Sequence, residues 1–318
     1  MLHIFWGDVL ADALRNTTAP GETMVWHDMG AYAPTPADDD ALIAIQAEIL
    51  VEDGFFDTLE AALQARRSME KKLATFRDYA ETVLWFDTCL YDHVILVRHL
   101  DWFSKQELGN TELSVICVER PLGEHGPDEL VGLLETRSSI AHPQLELGVK
   151  AWAAYRSPAP TAIEQLLRED TSALPYLRAA FTDHLQRFPS VENGLCSVDT
   201  LALKRAQELG RVPLPQLISA CLGSGLTYLS DTLAATHIRA MSDCAHPLLA
   251  VQGESEATWR HPYGDCDITI TDTGEAVLAG CQDFVTLNGI NRWLGGVHLC
   301  GPDAAWRWDG EMRALVAS

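Results

Sequence analysis

Through the first 120 positions, short β-type apolar runs alternate with stretches whose apolar residues recur at helical spacing. His3–Trp6 is the first such run, Gly7-Asp8 turns the chain, and Val9–Arg15 reads as a helix, a strand-turn-helix start. A second run, Glu22–Trp26, ends in His27-Asp28, and Gly30–Asp40, with two prolines and an acidic triplet, predicts an exposed loop. Leu42, Ile45 and Ile49, then Leu59 and Leu63, then Met69, Leu73 and Phe76 predict two or three amphipathic helices between Ala41 and Tyr79. Glu81–Phe86 reads as a strand and Asp87–Phe103 as a helix. Leu113–Val118, apolar apart from Ser114, suits a strand buried on both faces of a parallel sheet. The alternation predicts an α/β domain with a mainly parallel, Rossmann-like sheet over residues 1–122.

Beyond Pro121 the pattern turns helical, with Asp128–Leu134, Pro143–Tyr155, Ala162–Arg168 and Leu174–Phe188 forming an expected helical linker domain over 123–190. In 191–318, helices are expected over 197–209, Pro213–Cys221 and Ser230–Met241, followed by Asp267–Ile270 with Val277–Leu278 as a wing. Three helices and a small β element predict a winged-helix-like domain. The aromatic, glycine and arginine residues of Leu287–His298 and Trp306–Asp309 predict a clasp that docks the tail onto another domain.

Composition narrows the partners. With 318 residues, 47% of them hydrophobic, the chain can bury a core, yet runs such as Val94–Val97 fall far short of the roughly 18 residues of a membrane span. The start Met1-Leu2-His3-Ile4-Phe5-Trp6 lacks a basic region and a long apolar stretch, and the eight cysteines contain no C-x-x-C pair. A cytoplasmic protein with reduced thiols is expected. A formal charge of −22 opposes polyanions, so nucleic acid is not an expected partner, whereas a protein partner or a homo-oligomer is compatible.

Each expected strand of the first domain is followed by charge: Asp8, then Asp28, then Asp87 with Asp92 behind it, then Glu119-Arg120. In a parallel sheet these residues share the carboxyl edge, where open α/β sheets bind ligands, and converging acids suit a metal, a cationic group or sugar hydroxyls. The competing role is capping, since an acid at a helix start accepts backbone N–H bonds and complements the dipole. Cys89 and His93, four apart on one helix face, are secondary metal candidates. The basic group Arg66, Arg67, Lys71, Lys72 and Arg77 is either an anion contact or a solvated helix face.

Several chemistries are excluded. Val9 stands where a GDS-type esterase needs serine, only Gly7 represents a G-x-G-x-x-G turn, no Walker loop exists, and Asp243-Cys244-Ala245-His246 has no nucleophile motif beside it. No cofactor is specified.

Gly7-Asp8 with Leu14, Val25-Trp26 with Asp28, Leu84-Trp85-Phe86 with Tyr91-Asp92, Leu174-Pro175-Tyr176-Leu177, Phe188-Pro189-Ser190 and the aromatic tail together resemble a bacterial family, domain of unknown function 1835, with its usual helical C-terminal domain. The resemblance covers nearly the whole chain and implies no activity. The chain departs from that family's pattern at Cys89, where an acid is usual, at His93, where a glutamine is usual, and in the loop Met29–Pro36.

Two functions are expected. The first is binding of a small polar ligand, with or without turnover, in an acidic cleft lined by Asp8, Asp28, Asp87 and Asp92. The alternative is a regulator or adaptor using its winged-helix-like half. There, Ser230–Met241 carries Arg239 and His237 but also Asp231, which favours a protein over DNA.

Overall fold

Residues 1–222, 226, 229–253, 258–259, 263–264 and 266–317 are described in this computed structural model. They divide into one unit of Met1–Ala47 with Thr58–Phe181 and a second of Glu48–Asp57 with Thr182–Ser318. Among the described residues no helix is long and apolar enough to cross a membrane.

In the first unit, β1 (Leu2–Phe5), α1 (Asp8–Arg15), β2 (Glu22–Val25), α2 (Asp39–Glu52, whose residues from Glu48 on fall in the second unit), α3 (Leu59–Leu73), β3 (Glu81–Asp87), α4 (Leu90–Ser104) and β4 (Glu112–Val118) realise the alternating pattern. They are followed by α5 (Pro127–Leu134), β5 (Ser138–Ser139), α6 (His142–Tyr155) and α7 (Thr161–Arg168). The strand order is β2-β1-β3-β4-β5; the first four run parallel and β5 is antiparallel to β4. This is a mixed α/β fold with a mainly parallel sheet. Every residue of β1 is buried, as are the first six of β3, which is why these strands read as unbroken apolar runs.

On one face, Phe5, Val83, Trp85 and Ile116 pack with Ala11 and Leu14 of α1 and with Leu122, Leu130 and Leu134. Residue 122, where a domain boundary was expected, therefore lies inside the first unit, because the next helix completes this core and β5 extends the sheet. Helix α4 is buried along most of its length and meets α6 closely: a Cβ on Gly148 would lie 2.3 Å from the Leu100 Cβ.

The 30–40 loop, expected to be exposed, divides: 30–36 are buried or half-buried and 37–40 are exposed. Ala31, Ala33 and Thr35 are inaccessible because Tyr155 donates its hydroxyl to the Gly30 carbonyl (2.8 Å) and Arg156 donates Nε to the Pro36 carbonyl (2.6 Å). The acidic triplet is not all loop: Asp39 and Asp40 open α2, and Asp38 accepts the Ala41 N–H at 2.7 Å.

Helix α8 (Leu177–Leu185) is shorter than the expected Leu174–Phe188, since Pro175 has no N–H to donate and Leu174–Tyr176 form a turn. The second unit continues with α9 (Ser197–Leu209), β6 (Val212–Pro213), α10 (Leu214–Leu222), α11 (Asp231–Ser242), β7 (Leu249–Gln252) and β8 (Asp267–Ile270). β6, β8 and β7 form an antiparallel sheet in that order. Val277–Leu278, expected as a strand, lies in α12 (Asp272–Leu278), which Thr271 caps by accepting the Gly274 N–H. After α13 (Phe284–Asn288), the tail forms two hairpins, β9 (Ile290–Leu294) with β10 (Val297–Gly301) and β11 (Trp306–Asp309) with β12 (Ala314–Ala317). The clasp residues bind within their own unit: Arg292 reaches Asp199, Arg307 reaches Asp283, and Trp308 exchanges backbone bonds with Pro189 and Val191.

Candidate functional site

The strand order reverses direction between β1 and β3, so the crevice beyond their carboxyl ends is the topological switch point of the sheet. Phe5 pairs with Trp85, which sets the turn Trp6-Gly7 beside the end of β3. Gly7 has φ 94°, a conformation that a side chain would strain. Trp6 stacks on Tyr91 at 5.0 Å, and Tyr32 meets Tyr91 edge-on at 6.4 Å, giving this edge an aromatic wall.

Asp87 ends β3 half-buried, and Asp92 lies buried in the first turn of α4. Asp92 accepts the Asp87 N–H at 2.6 Å, while Asp87 accepts the N–H groups of Cys89 (2.9 Å) and Leu122 (3.2 Å). A carboxylate oxygen of each lies within 4.8 Å of the other. Burial, and then the neighbouring Asp87 charge, push the Asp92 carboxyl well above the ordinary range.

Cys89 joins this pair: one ligand atom from each of Asp87, Cys89 and Asp92 lies within 4.8 Å of the others. Its sulfur accepts the Asp92 N–H at 3.5 Å, and burial pushes its thiol up. These oxygens and the sulfur also accept backbone N–H bonds. His93 does not join them. Its Nδ1 faces the Cys89 carbonyl at 3.2 Å, and burial lowers its pKa to about 4.

Asp28 is drawn into the protein instead. At 3% exposure, it accepts Gly30 N–H (2.6 Å), Gln46 Nε2 (2.8 Å) and Trp26 Nε1 (3.1 Å) and pairs with Arg98 and Arg66. Burial drives its carboxyl up, but Arg98 and then Arg66 bring it down to about 2. Arg98 also pairs with Glu70 at 2.8 Å, and Arg66 donates to the His27 carbonyl.

The remaining candidates face solvent. Asp8, 66% exposed, lies 3.5 Å from His27; Glu119 is exposed; Arg120 pairs with Glu129. The structure thus joins Asp87 with Asp92 and Cys89, and places Asp28, Asp8, Glu119 and Arg120 in other surroundings. The basic group of α3 also divides: Arg66 is buried on Asp28, Lys72 pairs with Glu22, and Arg67 and Lys71 are exposed.

One polar cluster had no advance signal. In the second unit Asp199 accepts from His237 Nδ1 at 2.6 Å and from Arg292 at 3.1 Å, with Cys196 Sγ 3.7 Å from the same histidine nitrogen. Burial opposes ionisation of Asp199, but Arg292 and then His237 hold its carboxyl well below the ordinary range, while burial raises the Cys196 thiol to about 12. A protonated thiol and an aspartate forked by arginine make a buried ion pair rather than a nucleophile with its base. No protein-family model matches this chain, and no curated protein matches it.

Proposed function

We propose that the first unit binds a small polar ligand in the crevice beyond β1 and β3, with the Asp87–Asp92 pair as its acid–base element. The observation that carries this reading is the approach of the two carboxyls to within 4.8 Å at the switch point, beside the Trp6–Tyr91 stack. Two acids that cannot both ionise hold one proton between them and can hand it to, or take it from, a ligand hydroxyl or amine. Asp87 supplies the half-exposed carboxylate and Asp92 the buried acid behind it. Asp28 has no part in this reading, because its oxygens are taken by five groups of the fold.

A thermal-shift screen against divalent cations, nucleotides, sugars and amino acids tests it. A compound from this screen is expected to raise the melting temperature, and the shift is expected to vanish in Asp87→Asn and Asp92→Asn. Shifts that survive both substitutions contradict the reading.

A second reading, a regulatory or adaptor role for the other unit, rests on its element order. Helix, short strand, two helices and two strands, with sheet order β6-β8-β7, is compatible with a winged-helix arrangement and supports this reading. In that arrangement α11 would be the recognition helix; His237 is buried on Asp199, and Thr236, Arg239 and Ala240 are its exposed residues between Asp231 and Met241. One exposed cation supports a protein contact over DNA. Fluorescence anisotropy with a duplex at low salt is expected to give no saturable binding.

A further inference from the structure

The first unit contains a cavity of about 170 Å³ away from the switch point, lined by residues of α2, α3, α4 and α6 and by Trp26 just after β2. Its floor is buried and largely aromatic, with Trp26, Leu73, His99 and Trp152, and Ile43 and Trp102 form half-exposed walls. A cavity of about 150 Å³ is enough for benzene, so this one admits a single ring with a short arm.

The three indoles are fixed by residues that do not line the cavity. Trp26 donates Nε1 to Asp28 at 3.1 Å and lies under Arg66. Trp102 meets Phe76 and Phe103 edge-on at 5.6 and 4.9 Å, and Trp152 stacks on Tyr155 at 6.2 Å with Arg156 5.1 Å from its ring. The walls are therefore set by the fold, and a visitor finds them formed without the ordering cost of building a site.

The lining also selects against charge. Glu70 pairs with Arg98 at 2.8 Å, Asp101 with Lys105 at 2.7 Å and Asp39 with Arg156 at 2.9 Å, so each acid and each base on it already has a counter-charge. His99 gives Nδ1–H to the Ile95 carbonyl at 2.8 Å, its Nε2 is closed off from the cavity, and burial lowers its pKa to about 4, so the ring is neutral. Trp26 and His99 thus have no polar atom left for a visitor. An ion of either sign would lose its water and find no free counter-charge, whereas a neutral ring exchanges water for aromatic and aliphatic surface.

We propose that this cavity is a binding site for a small neutral aromatic molecule, its bare ring on Trp26, Leu73 and Trp152 and its substituent toward the exposed end marked by Asp39 and Lys105. The site is separate from the Asp87–Asp92 pair and does not depend on it.

Isothermal calorimetry on the full chain with three probes of one shape, benzyl alcohol, benzylammonium and benzoate, tests the assignment. Benzyl alcohol is expected to bind saturably, and each of the two ions more weakly by about tenfold or more. Ile43→Trp, which fills the cavity from a half-exposed wall, should abolish binding of the alcohol. If that variant does not fold, Trp102→Ala, which removes the other half-exposed wall, should weaken the alcohol by about tenfold. Absence of saturable binding by the alcohol, binding of either ion as tight as that of the alcohol, or full retention of binding in whichever of the two variants folds would each overturn the assignment.

Discussion

Asp28 and Asp92 are both buried at the carboxyl side of one parallel sheet, and the fold treats them in opposite ways. Around Asp28 it gathers two guanidiniums, an indole N–H, an amide and a backbone N–H, so the carboxylate stays ionised down to about pH 2. Around Asp92 it supplies one backbone N–H and another carboxyl, and burial pushes its carboxyl well above the ordinary range. The same residue type at the same edge is therefore held ionised in one case and pushed toward its neutral form in the other; the difference lies in the partners, not in burial. Asp199 of the second unit belongs with Asp28, having Arg292 and His237 against it.

The largest expected effects come from removing the hubs. Asp28→Ala leaves Arg98 and Arg66 short of a counter-charge and should lower the free energy of unfolding by about 3–5 kcal/mol, read by urea denaturation at neutral pH. Asp199→Ala, which strands Arg292, should cost a similar amount in the second unit. If either variant stayed near wild-type stability, that carboxylate would not be a hub.

The two acids should also separate by pH. The folded carboxyl of Asp28 is depressed, so its stabilisation is present above the unfolded value near pH 4 and is lost as pH falls through about 2. Asp92 is raised, so its contribution is present below about pH 4 and is lost as pH rises through its folded value. Asp92→Asn cannot ionise, and its amide oxygen can still accept the Asp87 N–H. It should match the wild type near pH 4 and exceed it by about 1 kcal/mol or more at pH 8, read by urea denaturation across pH. A variant less stable at both pH values would place Asp92 with the hubs.

The smallest effects are expected at the exposed positions. Asp8→Asn and Arg120→Ala should each change stability by less than about 0.5 kcal/mol in the same assay, since both side chains pair in solvent. A larger loss would mean that the exposed edge is part of the fold.

The alternation of β1 to β4 with helices was legible because parallel strands buried on both faces leave unbroken apolar runs and amphipathic helices leave a 3.6-residue period. That Asp8, Asp28, Asp87 and Glu119 share an edge follows from that alternation alone. Which acids meet does not. Asp28 is claimed by Arg98, 70 positions away in the chain, and by Arg66, whose charge read as part of a solvated face. The 30–36 segment, with prolines that read as surface, is buried or half-buried under Tyr155 and Arg156, partners more than 100 positions distant, whereas the acids at 38–40 are exposed as expected. Asp87 and Asp92, by contrast, lie five apart across a strand-to-helix turn, so local geometry brings them together and sequence spacing could find them.

Carbon-13 NMR of the aspartate carboxyls, titrated across pH and assigned with Asp92→Asn, addresses the shared proton most directly. The Asp92 resonance is expected to remain that of a protonated acid at about pH 6, where an isolated aspartate is ionised. An Asp92 carboxyl that titrates near the ordinary value of about 4 would mean that both groups are charged together, and the acid–base pair would not exist.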